Sequence, residues 1–193
     1  MNKQLIACLF AIATVNLTGC AHLLATASGS APVGKVEGER TLSQRIEDIS
    51  LEKTAAVNLY KADPEFRNAH VLFMSFHSNV LIAGQVLNSK QKQLAEDTVR
   101  SLREAKQVHN ELVVSTQINS YLNRAKDSII NAQISTTLTF TKDFPSSQVK
   151  VLVEDGVVYV MGKLTRSQTE QAINLIKATP DIKKIVKMID YLD

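Results

Sequence analysis

The chain has 193 residues, with 22 Lys plus Arg against 19 Asp plus Glu, and 45% of it is apolar. At roughly 100–200 residues per domain that length holds one medium domain or two small ones, and the ordinary apolar and charged fractions exclude wholesale disorder and a polytopic membrane protein. A formal charge of +3 is too small to mark a nucleic-acid binder, and 5% aromatics leave little for stacking bases or sugars.

Lys3 is the only charge in Met1–Gln4, and an apolar run from Leu5 to Ala13 follows, fading through Val15 to Leu17. This is a charged n-region and an h-region of signal-peptide length, shorter than a stable bilayer-spanning helix. Leu17-Thr18-Gly19-Cys20 closes it and resembles a bacterial lipobox. Small side chains at Thr18 and Gly19 let the extended chain enter a peptidase, and the Cys20 thiolate takes up a diacylglyceryl group. Residues 1–19 are then a lipoprotein signal peptide that carries Cys8 away, and Cys20 is the lipidated N-terminus. Several acyl chains, at about 0.8 kcal/mol per buried methylene, make a firm anchor. Ala21 stands where Asp would signal retention in the inner membrane. The resemblance therefore implies outer-membrane sorting with the body in the periplasm. Residues 20–40 are small, polar and Gly/Pro-containing, and read as a flexible tether.

The remainder is one unit written twice. Val80–Val86 lies over Val158–Leu164 at an offset of 78, and each segment follows a second alternating run, Val71–Phe76 and Val149–Glu154. Ser78-Asn79 and Asp155-Gly156 separate the runs; Asp-Gly is a strong hairpin signal and Ser-Asn a weaker one. Asn88-Ser89 and Thr165-Arg166-Ser167 supply N-cap candidates for the helices that follow. Leu94, Thr98, Leu102 and Ala105 recur at helical spacing in copy one, and Ala172, Ile173, Leu175 and Ile176 in copy two, before Thr179-Pro180-Asp181 stops the helix. A β-rich run closes each copy, Val108–Val114 and Ile185–Tyr191. A helix opens each, with Leu51, Ala55 and Leu59 as the inner stripe of the first and Ile130, Ile134 and Leu138 of the second.

The unit is αββαβ, which predicts an α+β fold of two tandem domains, each a three-stranded sheet with two helices on one face. This pattern resembles the BON domain, and the chain from residue 41 onward, with its lipobox, resembles the dual BON-domain outer-membrane lipoproteins. Residues 41–114 would form the first BON domain and 121–193 the second. The most specific element is the hairpin ending in apolar-x-Gly-x-apolar at Gly84 and Gly162. Those glycines, and Gly156 in the turn, are expected to be structural, allowing positive φ or close approach of a neighbouring helix. Copy one departs by lacking a turn glycine.

No catalytic constellation appears. His22, His70, His77 and His109 form no HExxH or Cys/His cluster, so neither a metal nor a cofactor is expected. His70 and His77 would fall on opposite faces if both were strand residues. Glu47-Asp48, Glu96-Asp97 and Glu154-Asp155 read as solvated pairs at caps, turns or outer faces. An enzyme is not expected.

Residues 41–118 carry nine basic and nine acidic side chains, and 119–193 carry ten and eight, so the bias lies in copy two. If residues 128–140 are helical, Ile129, Thr136 and Phe140 lie roughly 80–120° from the inner stripe. That is an uncharged second face, preceded by Arg124 and Lys126 and followed by Lys142. The equivalent face of copy one, Lys53, Val57 and Tyr60, is more polar. An apolar strip flanked by cations suits an interfacial helix, and docking against copy one would use the same strip. Dual BON-domain lipoproteins are associated with phospholipid binding and outer-membrane integrity. The resemblance thus implies anionic phospholipid as the partner of this helix. The rival is an adaptor docking on outer-membrane assembly proteins or a cell-wall component.

Overall fold

The computed structural model describes residues 37–118 and 120–193. The signal peptide and Cys20 lie outside the described residues. Thr41 starts helix α1 (Leu42–Ala62) with a capping box: its hydroxyl accepts from the Gln44 amide while the Gln44 side chain accepts from the Thr41 amide. Asp63-Pro64 ends α1 and begins a 3-10 turn, Pro64–Asn68. Strands β1 (His70–Phe76) and β2 (Asn79–Val86) form an antiparallel hairpin. Asn88 caps α2 (Ser89–Arg100), and β3 (Gln107–Asn110) and β4 (Val113–Val114) then pair parallel to β2.

The second repeat follows the same course. It runs through α3 (Tyr121–Phe140), the hairpin β5 (Val149–Glu154) and β6 (Val157–Leu164), α4 (Arg166–Lys177) and β7 (Lys184–Tyr191). Strand β6 is central, antiparallel to β5 and parallel to β7. The third strand of copy one is interrupted at Glu111-Leu112, where Leu112 turns into the core.

Each sheet buries one face under its own helices. In copy one Leu51, Ala55 and Leu59 of α1 and Ala95 and Val99 of α2 pack on Val80, Ile82 and Val86. In copy two Ile130, Ile134, Leu138, Ala172 and Ile176 pack on Val158, Val160 and Leu164. The alternate residues of the same strands point the other way. Met74, Phe76, Leu81 and Ala83 of one sheet meet Tyr159 and Met161 of the other in a third buried cluster. Burying these six side chains contributes on the order of 10 kcal/mol gross. The repeats therefore dock sheet to sheet, with helices on the outer faces. Docking of the α3 outer face against copy one, one of the two uses open to it from sequence, does not occur.

Three details depart from the sequence expectation. The copy-one turn is His77-Ser78, since Phe76 pairs with Asn79. Both turn residues take positive φ, 52° and 69°, as Asp155 and Gly156 do at 48° and 72°. His77 is thus a turn residue and does not share a strand with His70. Second, Asp48 and Glu154 are buried rather than solvated. Asp48 accepts from the Ser75 hydroxyl (2.8 Å), the Ser78 amide (2.9 Å), the His77 amide (3.2 Å) and Arg40 (3.0 Å). Asp127 does the same work in copy two, accepting from the amides of Asp155 (2.8 Å) and Gly156 (3.0 Å). Glu154 Oε2 meets His70 Nε2 at 3.2 Å across the seam. Third, Glu37–Arg40, read as the end of the tether, are held in the fold. The Glu37 carbonyl accepts from Gln148, the Gly38 carbonyl lies 3.3 Å from His77 Nε2, and Arg40 covers the Phe76 ring.

The two strand glycines sit where the paired strand, not a helix, comes close. A Cβ on Gly84 would lie 2.0 Å from the His70 carbonyl oxygen, and one on Gly162 would lie 2.7 Å from that of Gln148.

Candidate functional site

Helix α3 begins at Tyr121, with Ser120 as N-cap accepting from the Asn123 amide, so Arg124 and Lys126 belong to it rather than precede it. Asp127, Ile130, Ile134 and Leu138 face the sheet. At about 100° per residue, Leu122, Ile129, Thr136 and Phe140 fall within about 40° of one another on the opposite side. Leu122, Ile129 and Phe140 are 78%, 61% and 83% exposed, and Thr136 is exposed beside them. Tyr121 adds a further exposed ring at the helix start. The helix expected over 128–140 starts seven residues later than the observed one and so leaves Leu122 out. Its spacing of seven from Ile129 was the available signal.

The three predicted cations are not gathered into one patch. Lys126 is exposed near the apolar stripe and pairs with Asp181 at 3.1 Å. Lys142 is exposed just past the Thr141 C-cap, where a cation also suits the negative end of the helix dipole. Arg124 is half-buried in a hollow shared with His70, Leu72 and Glu154, and its Nε has no hydrogen-bond partner. It points away from the stripe.

The corresponding face of α1 is less polar than its sequence reading, which took in only Lys53, Val57 and Tyr60. Leu42, Ile46 and Ile49 extend it toward the N-terminus, and all five apolar residues are exposed. Lys53 interrupts that stripe; on α3 Lys126 sits between Leu122 and Ile129, but no charged residue lies between Ile129 and Lys142.

Among the described residues no cluster of His, Cys, Asp or Glu could hold a metal ion, and no helix is long and apolar enough to cross a membrane. Two shifted groups belong to the seam between the repeats. Burial, with a smaller push from Lys163 and Arg40, holds the His77 imidazole below its ordinary value despite the Gly38 carbonyl and Asp48. Burial, reinforced by Glu111, Glu154 and Asp155, pushes the Tyr159 phenol up to about 12. Neither faces the α3 stripe.

The BON domain model matches residues 54–116 and 126–193. The chain is 32% identical over 183 residues to the outer membrane lipoprotein DolP of Haemophilus influenzae, a match covering 94% of this chain and 93% of the relative. It is 24% identical over 153 residues to the 21 kDa hemolysin of Actinobacillus pleuropneumoniae, covering 79% and 78% of the two chains. Among solved structures, the C-terminal domain of CdsD, a structural protein of the type III secretion system of Chlamydia trachomatis, aligns with 71% of this chain and 96% of its own. Its 11% identity and TM-score of 0.32 carry no argument.

Proposed function

Because the chain belongs to the BON-domain family and is one of its outer-membrane lipoproteins, we propose that it binds anionic phospholipid without catalysis and supports outer-membrane integrity. Lipidated Cys20 holds it to the membrane, and α3 supplies the lipid-binding face. The observation that supports this reading is the exposed stripe of Leu122, Ile129, Thr136 and Phe140, free of charge from Ile129 onward and left in solvent by a fold that buries both inner sheet faces. A helix of this kind lies in the interface plane with its apolar side among the acyl chains. Lys142 and Lys126 are placed to meet head-group phosphates; the exposed Lys126–Asp181 pair is weak enough for a phosphate to compete with it. Arg124 is left out of the site by its position.

Co-sedimentation of residues 21–193 with phosphatidylcholine vesicles containing increasing phosphatidylglycerol tests this. Binding is expected to rise with the anionic fraction and fall with salt. Replacing Ile129 and Phe140 by Glu is expected to weaken it about tenfold or more. Ile46→Glu on α1 serves as the control that retains binding. If the doubly substituted protein stays folded and binds like the parent, α3 is the wrong surface. Absence of binding at every lipid composition would sink the lipid reading altogether.

A further inference from the structure

We propose that the open edge of β7, with the basic groove it shares with α4, receives an extended acidic peptide by strand addition. Strand β7 pairs along all eight residues with β6 and is the last strand of its sheet, so among the described residues its outer backbone groups have no strand partner. Ile185, Val186, Met188 and Ile189 are only half-buried there, while the central strand β6 is almost wholly buried. Such an edge is a template for another strand unless something blunts it.

The same edge in copy one is blunted. Strand β3 stops after four residues, and Leu112 dives into the core. Lys92 of α2 holds the Leu112 carbonyl at 2.7 Å, and the Asn110 amide group bonds to the Lys92 carbonyl and to Glu96. Only a two-residue β4 resumes the pairing. None of these devices recurs at β7, which is continuous.

Beside β7 runs a groove of about 520 Å³ whose walls include Arg166, Ile173, Lys177, Lys187 and Tyr191. It continues as a second hollow of about 430 Å³ over Ile182, Lys184 and Ile185. Lys177, Lys184 and Lys187 are exposed, and among the described residues none of them has an ion pair or side-chain hydrogen bond. Glu170 is the one carboxylate on the groove wall, and Lys183 is already held by Asp155 at 2.8 Å. An apolar floor under unpaired ammonium groups fits a strand that alternates apolar and acidic side chains. Two copies joined edge to edge would bring these lysines together. Residues 21–36 of the chain itself contain no carboxylate. Charge complementarity therefore selects an acidic partner.

The test titrates the full chain, in detergent micelles, with a synthetic peptide of alternating valine and glutamate and with its valine–lysine counterpart. Amide NMR shifts confined to β7 and α4, with slowed exchange of alternate β7 amides, are expected for the acidic peptide alone. K177E with K187E, both at exposed positions, is expected to weaken it about tenfold. I129E with F140E is expected to leave it unchanged, which separates this proposal from the α3 reading. The proposal is overturned by unperturbed β7 amides, by an equal response to the lysine peptide, or by edge-to-edge dimers that the peptide does not displace. It is also overturned if dispersed short-chain phosphatidylglycerol displaces the peptide and protects the same amides.

Discussion

Replacing Asp48 by Ala should cost far more stability than the equivalent change at Asp127, although the two carboxylates do the same job. Asp48 holds two turn amides, the Ser75 hydroxyl and Arg40, and is 1% exposed. Arg40 is itself mostly covered. A single bond to a charged group is worth about 1.5–3 kcal/mol, but bonds in one network do not add; losing this carboxylate and stranding its partner charge should cost about 3–5 kcal/mol in all. The turn it holds has no glycine: His77 and Ser78 at φ 52° and 69° each carry an intrinsic cost of about 1–2 kcal/mol. Asp127 holds two amides, no arginine, and a turn with Gly156 at the second position, so its loss should cost about 2 kcal/mol. Urea unfolding at constant m-value measures both. Ser78→Gly should restore about 1 kcal/mol in the D48A background by relieving φ. Acid provides a second readout. Burial raises the Asp48 carboxyl, but the bonds from Ser78, Ser75, Arg40 and His77 outweigh it and leave it below the ordinary value. A depressed pKa contributes stability above the unfolded value, lost as pH falls through the folded one. D48A should flatten that part of the acid limb. The reasoning fails if D127A costs as much as D48A.

Gly84→Ala should be severe, about 3 kcal/mol or more, because φ is +113° and the new methyl would overlap the His70 carbonyl. Gly162→Ala, with ordinary φ and a 2.7 Å approach, should cost about 1–3 kcal/mol; thermal melts that rank them in the opposite order refute this. Tyr159 should ionise above the ordinary tyrosine value in a phenolate titration. Its pKa is raised to about 12, so its stabilisation is complete below the ordinary tyrosine value and is lost as pH rises through the folded one. Y159F should remove that alkaline loss, and an unchanged alkaline profile would refute the assignment.

The αββαβ repeat was legible because strand alternation and helical stripes recur at a nearly fixed offset, a signal that single-residue errors do not erase. The copy-one turn was misplaced by one residue because Ser-Asn is a weak turn signal and nothing in the pattern marks His77 as left-handed. Its determinant, Asp48, lies on a helix far away in sequence and was read as solvated beside Glu47. It could have been found: Asp48 precedes Leu51, Ala55 and Leu59 at the spacings by which Asp127 precedes Ile130, Ile134 and Leu138. A carboxylate that repeats on a buried stripe is more informative than one adjacent to another carboxylate. The sheet-to-sheet seam is not among the sequence expectations, although Val80–Ala83 and Val157–Met161 are apolar at every position, the signal of burial on both faces. The edge difference between β3 and β7 was not legible, because it turns on where Leu112 points and on the reach of Lys92.

The seam also bears on why both candidate surfaces lie in copy two. Sheet docking consumes the inner faces equally, so any remaining recognition surface must be an outer helix face or a sheet edge. In copy one each of these is compromised: Lys53 divides the α1 stripe, and the Leu112 break shortens the edge. Its turn, moreover, is engaged with the Gly38 carbonyl through His77. In copy two the α3 stripe is free of charge from Ile129 to Phe140, the β7 edge is continuous and the net charge is positive. The two repeats share one topology but not one role, since only the second keeps its sheet edge continuous and open. That asymmetry predicts independent losses: glutamates on α3 and on the α4–β7 groove should each weaken one interaction and leave the other intact.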